Sequence, residues 1–119
     1  MYTIEITPQS APRLNHKSLW TDKAKRYFKY KEDLKLLCNA AGYKKLGAKV
    51  KIVFFIPMPD SWTKKKKSEM LLTPHQQKPD IDNLTKAFMD AFGVDDSYVW
   101  KLEAEKYWHM EGRITVYDI

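Results

Sequence analysis

Lys49-Val50-Lys51-Ile52-Val53-Phe54-Phe55-Ile56, stopped by Pro57-Met58-Pro59, is the most strand-like run of the chain. Val50, Ile52, Phe54 and Ile56 alternate onto one side with the two-residue period of a β-strand. Val53 and Phe55 make the opposite side apolar too, which predicts burial on both faces and therefore a central place in a sheet. Upstream, a helix is expected over about Thr21 to Ala41. Its apolar residues Ala24, Tyr27, Phe28, Leu34, Leu37, Cys38 and Ala41 recur at three- and four-residue steps. Thr21 or Asp22 can cap that helix and Gly42 can end it. Still earlier, Pro8 to Ser18 reads as a polar loop, and Tyr2, Ile4 and Ile6 alternate as a half-buried strand.

Downstream, Asp60 to Gln77 is a long polar stretch, with a short helical turn allowed over Ser68 to Leu72; a loop of such length is usually functional or mobile. A second helix is expected from about Asp82 to Phe92, burying Leu84, Ala87, Phe88, Ala91 and Phe92, with Gly93 just past its end. Tyr98 to Trp108 and Arg113 to Ile119 read as two strands joined near His109-Met110-Glu111-Gly112, an expected antiparallel hairpin. The order β-α-β-α-β-β predicts one small α+β domain over residues 1–119, a mixed four-stranded sheet packed with two helices.

Bulk composition narrows the function classes. Hydrophobic residues make up 44% of the chain and aromatics 13%, enough for a packed core. No apolar run of about 18 residues is present to span a bilayer, and Met1-Tyr2-Thr3-Ile4-Glu5 does not resemble a signal peptide. The single Cys38 excludes an internal disulfide and fits a reducing cytoplasm. His16, His75 and His109 are too scattered for a His-based metal site. Lys and Arg number 21 against 15 acids, a net charge of +6. Such a charge suits a nucleic-acid partner and equally an ordinary basic protein.

Against that basic background, five aspartates fall within the nineteen residues from Lys78 to Asp96. Carboxylates gathered this way repel one another unless a cation sits among them, and a hard divalent ion such as Mg²⁺ takes oxygen ligands. Asp80 and Asp82 stand two apart where an extended segment enters a helix, because Pro79 keeps Lys78 out of helical geometry. Asp82 read simply as an N-cap explains one of them. It leaves the pair unexplained, and also Asp95 and Asp96 beyond the other end of the helix. Those two lie a helix length away, so they meet the first pair only if the chain doubles back or a two-fold partner supplies them. An EF-hand is excluded, since its sixth and twelfth positions would be Thr85 and Ala91. An aspartyl phosphatase is excluded because a polar segment, rather than an apolar strand, precedes Asp80.

Lys86, four residues after Asp82, reads either as an ion-pair partner or as an ammonium beside the metal that stabilises phosphate charge. Lys64-Lys65-Lys66-Lys67 and Lys78 read as a flexible cationic arm for DNA phosphates or as a solvated charge run. Trp62 offers either a base-stacking ring or an anchor for that arm.

From Pro57 to Lys106 the chain resembles the RusA family of Holliday-junction resolvases. The likeness is carried by Pro59-Asp60-Ser61-Trp62-Thr63-Lys64-Lys65-Lys66 and His75. It continues in Lys78-Pro79-Asp80-Ile81-Asp82-Asn83-Leu84-Thr85-Lys86, Asp90-Ala91, Asp95-Asp96 and Lys106-Tyr107. Pro12-Arg13, in a polar loop before a long helix, is similar more loosely. The resemblance implies a homodimer, of phage or prophage type, that nicks four-way junctions symmetrically with Mg²⁺, Mn²⁺ substituting. It implies Asp80, Asp82 and Asp96 as metal ligands, Lys86 as the catalytic lysine and Asp95 as a supporting carboxylate. Arg13, Lys64, Lys65, Lys66, Lys67 and Lys78 become the DNA contacts. The link from Asp90 to Asp95 is shorter than the family commonly shows, which leaves open whether Asp95 or Asp96 reaches the metal. Two other readings stand beside this one: a non-catalytic, architectural DNA-binding module, and a less specific nuclease for branched DNA.

Overall fold

The computed structural model describes every residue except Leu14, His16, Ser18 and Val94, and the backbone alone at Asp96. The run from Lys49 becomes β2 (Lys49–Pro57) and occupies an inner position of a four-stranded mixed sheet. Around it the chain runs β1 (Tyr2–Ile4), α1 (Asp22–Ala40), β2, α2 (Lys64–Met70), α3 (Ile81–Asp90), a 3₁₀ turn (Asp96–Tyr98), β3 (Lys101–His109) and β4 (Arg113–Asp118). The sheet order is β1-β4-β2-β3, with β2 and β3 parallel and β4 antiparallel to both β2 and β1. The expected α+β domain is present, with a third helix added.

One face of the sheet carries the core. Val50, Ile52 and Phe54 of β2, Ile114 and Val116 of β4 and Ile4 of β1 are buried beneath α1 and α3. In register, Ile52 stands beside Val116 and Phe54 beside Ile114, so one apolar stripe crosses three strands. α3 presses Leu84, Ala87 and Phe88 into that stripe, and α1 adds Ala24, Tyr27, Tyr30, Leu34 and Cys38. Burial pushes the Cys38 thiol up to about 11, so it behaves as a small core residue rather than a nucleophile. The buried stripe of α1 passes through Tyr30 and leaves Phe28 and Leu37 partly exposed, contrary to the periodicity read from sequence. On the sheet's other face Val53 is buried as expected, among paired charges such as Lys51 with Glu105 at 3.3 Å.

The expected β3–β4 hairpin does not form. β3 and β4 flank β2 on opposite sides, so Met110-Glu111-Gly112 carries the chain across the end of β2. A strand buried on both faces needs a neighbour on each edge, and here the two final strands supply them. Gly112 is required by a close approach: a Cβ there would run into the backbone of Thr7.

The lysine run is not a flexible arm either. Thr63 caps α2, its hydroxyl accepting from the Lys66 amide at 3.1 Å. Trp62 packs on Trp108 with ring centroids 4.8 Å apart, which makes it the anchor of this segment. After α2 the chain lies along β3 in antiparallel fashion. The Leu72 amide donates to the Trp108 carbonyl (2.8 Å), and the His75 amide to the Lys106 carbonyl (3.0 Å). Leu72 takes a positive φ of 63° to make that entry.

Candidate active site

α3 sets the geometry of the acidic region. Its core residues Leu84, Ala87 and Phe88 are fully buried, so the helix is held along its length and its N-terminus is fixed in space. Asp80 occupies the N-cap position, with extended backbone angles, yet its side chain makes no capping hydrogen bond. Asp82, expected at the cap, sits instead within the first turn. Both carboxylates are exposed, and neither belongs to an ion pair among the described residues. A helix N-terminus favours negative charge, which lowers the cost of keeping two aspartates there. Two hard oxygen donors, uncommitted to caps and open to solvent, fit a Mg²⁺ ion that retains several waters.

The approach to this pair is anchored from β3. The Lys106 ammonium donates to the carbonyls of Gln77 (2.5 Å) and Pro79 (2.8 Å), tying down the backbone just before Asp80. The Lys78–Pro79 peptide between those carbonyls is cis. From the other side, the Ala11 amide donates to the Asn83 carbonyl at 3.1 Å. The segment before α1 is thereby held against the start of α3, and exposed Arg13 lies two residues along it.

The two carboxylates border different hollows. Asp80 shares one of about 380 Å³ with Ser10, Lys78, Pro79 and Asn83. Asp82 and Lys86 share another of about 380 Å³ with Thr85, Met89 and the β3 residues Leu102 and Ala104. Lys86 does not pair with Asp82. Its ammonium lies 3.8 Å from Asp90, on a side chain 55% exposed. Asp90 in turn accepts from the Tyr27 hydroxyl at 2.9 Å, which joins α1 to the far end of α3. Burial, then that bond, raises the Tyr27 phenol far above its ordinary value, so it stays a neutral donor.

Asp95 is not gathered into this region. It borders a hollow of about 460 Å³ beyond the C-terminal end of α3, with Lys35, Lys44, Lys45, Phe92 and Tyr98. Its Oδ1 accepts from the Ser97 amide at 3.0 Å, and those Ser97 bonds hold its carboxyl below the usual range. The side chain of Asp96 lies outside the described residues. Among the described residues no group of three His, Cys, Asp or Glu is placed to hold a metal ion. Asp80 and Asp82 thus stand two apart at the start of α3 without a third carboxylate beside them among the described residues.

Lys64 to Lys67 are displayed on α2 and border neither the hollow of Asp80 nor that of Asp82. Two cations of α1 do stand nearby. Lys23 and Arg26 of α1 border a hollow of about 360 Å³ with Ser10 and Pro79, both shared with the hollow of Asp80. Only their three-residue spacing on one helix face could have marked them in the sequence. His75 proves buried against Trp108 at 4.3 Å, with Nδ1 unpartnered, so it belongs to the packing of this segment.

A family model described as Endodeoxyribonuclease RusA matches residues 3–117 of the chain. A comparison with curated proteins gives no match.

Proposed function

The chain belongs to the RusA endodeoxyribonuclease family, and from that premise we propose that it resolves four-way DNA junctions by paired, symmetric, Mg²⁺-dependent nicks. Membership itself implies a Holliday-junction-resolving endonuclease; the ion, the pairing of nicks and the homodimer are additions of this proposal. The observation that carries it is the exposed pair Asp80 and Asp82 on a rigid helix start, Asp80 making no capping bond and neither in an ion pair among the described residues. Asp80 and Asp82 would hold the ion together with Asp96 delivered by the two-fold partner, since Asp96 of the same chain lies past the far end of α3, with Asp95 as supporting acid. When bound, Mg²⁺ or Mn²⁺ supplies Lewis acidity at the phosphate and a water of lowered pKa.

The remaining work falls to the chain's own cations. Lys86 lies one turn after Asp82 at the same hollow, and its long, exposed pairing with Asp90 exchanges readily for a phosphate oxygen. It would stabilise charge on the scissile phosphate or the leaving oxygen. Lys106 keeps Asp80 in register by anchoring the segment before it. Arg13, Lys78, Lys23 and Arg26 surround the approach, and Lys64, Lys65, Lys66 and Lys67 extend the basic surface, each phosphate contact adding a salt-sensitive increment of binding. Junction choice then comes from shape and phosphate spacing rather than base-edge reading.

A four-way junction has two-fold symmetry, so two identical sites in a C2 homodimer suit paired nicks. Phe28 and Leu36 of α1 border one open hollow with Ala91 and Phe92, and Leu36 is 66% exposed, which supports a covering partner. No helix among the described residues is long and apolar enough to cross a membrane. We place the protein in the cytoplasm, acting in DNA recombination and repair, of phage type.

The test is incubation of purified protein with a labelled synthetic junction and a matched linear duplex, each in Mg²⁺ or EDTA. Paired nicks confined to the junction and to Mg²⁺ are expected. Binding without product in Mg²⁺ and Mn²⁺ would overturn the nuclease in favour of an architectural module. Equal cutting of flaps and other branched DNA would replace the resolvase by a broader nuclease.

A further inference from the structure

The C-terminal end of α3 presents a surface that the acid pair does not use. Past Gly93 the chain turns through Asp96–Tyr98 and reaches β3, holding out two large aromatic rings: Tyr98 is 54% exposed and Trp100 72%. The backbone beneath them is fixed. The Tyr98 amide donates to the Asp95 carbonyl and the Trp100 amide to the Ala48 carbonyl, both at 3.0 Å. Sequence alternation placed Tyr98 to Trp100 inside a strand; the Asp95–Ser97 turn instead starts β3 at Lys101 and leaves both rings outside the sheet.

Cations ring these aromatics. Lys35, Lys44 and Lys45 border the hollow that contains Tyr98 and Phe92, and Lys35 lies 4.5 Å from the Phe92 ring centroid. Lys49 stands 5.8 Å from the centroid of Trp100, and Lys101 follows it directly. Asp95 is the acid bordering the hollow. Exposed aromatic faces among lysines are the composition of a surface that stacks bases and neutralises the phosphates between them. A second copy of this chain fits less well, since a two-fold contact would set these lysines against their own counterparts.

We propose that Trp100 and Tyr98, with Lys44, Lys45, Lys49 and Lys101, stack a base unpaired at the branch point of the DNA. The proposal rests on the nuclease reading for its substrate and adds a second contact to it. The ten residues of α3 separate this surface from Asp80 by about 15 Å.

The test measures binding in EDTA, where no cutting intervenes. The substrates are a four-way junction carrying 2-aminopurine at the branch and a matched duplex. Trp100→Ala is expected to weaken junction binding about tenfold and to abolish the change in 2-aminopurine fluorescence. Duplex binding should change less than twofold, and Trp100→Phe should retain most of the junction affinity. Equal weakening on both DNAs, or unchanged junction binding, would overturn the stacking role. A change in sedimentation without a change in 2-aminopurine signal would assign the surface to self-association instead. Wild type that cuts the junction while Trp100→Ala binds it normally overturns this inference and leaves the nuclease standing. Wild type that stacks the base and never cuts does the reverse.

Discussion

The two ends of α3 differ in what they expose and in what holds them. At the N-terminus, Asp80 and Asp82 stand in solvent, and the backbone leading to them is held by Lys106 from β3. At the C-terminus, Phe92 is buried against Tyr43, Asp90 is bonded to Tyr27 of α1, and lysines with exposed rings lie beyond. Between them Leu84, Ala87 and Phe88 fix the helix in the core. The contrast teaches that the carboxylates contribute little to the fold, while the residues that place them contribute much. Charge at a site and stability of its support can therefore be altered separately.

The strongest break removes what both ends share. Phe88→Ala leaves a cavity in a fully buried position and should cost about 3–5 kcal/mol of stability, read by urea unfolding. A loss under about 1 kcal/mol would mean that α3 is not held by the core as described. Next comes the N-terminal end alone. Lys106→Met removes two charge-assisted hydrogen bonds and should cost about 1.5–3 kcal/mol. It should also slow junction cutting by up to about a hundredfold through misplacement of Asp80, with DNA affinity little changed. Unchanged cutting would deny Lys106 its positioning role. At the opposite end, Tyr27→Phe deletes the bond to Asp90 and should cost about 0.5–1.5 kcal/mol, with cutting nearly intact.

The smallest effect is on pH dependence. Burial, then the charge of Lys106, holds the His75 imidazole below its ordinary value. The unfolded chain takes up that proton near pH 6.5 while the folded one resists, so stability is full above that pH. It falls as pH drops through about 6.5 towards the lower folded value. His75→Gln should flatten this slope in melting temperatures taken between pH 7.5 and 5.5. An unchanged slope would place the acid sensitivity elsewhere.

Much of this arrangement was legible in the sequence, for physical reasons that also mark where legibility ends. Two-sided burial of β2 showed in Val53, with Phe55 only half-buried, and α3 showed in Leu84, Ala87 and Phe88, because periodicity is a local property. The acid pair showed because five aspartates crowd into nineteen residues of a chain with net charge +6. The strand neighbours did not show: Gly112 announces a reversal, but whether β4 pairs with β3 or with β2 depends on which edge is vacant. Asp80 took the N-cap position expected of Asp82, a shift within the ordinary uncertainty of helix ends. Lys106 and Tyr27 act across 27 and 63 residues, distances over which no spacing rule operates.

The central claim is that Asp80 and Asp82 perform chemistry rather than support the fold. The most direct test measures, on Asp82→Asn, both junction affinity in EDTA and single-turnover cutting in Mg²⁺. The account expects wild-type affinity and unfolding midpoint, with cutting reduced about 10²–10³-fold. A folded Asp82→Asn protein that cuts the junction at the wild-type rate would contradict it.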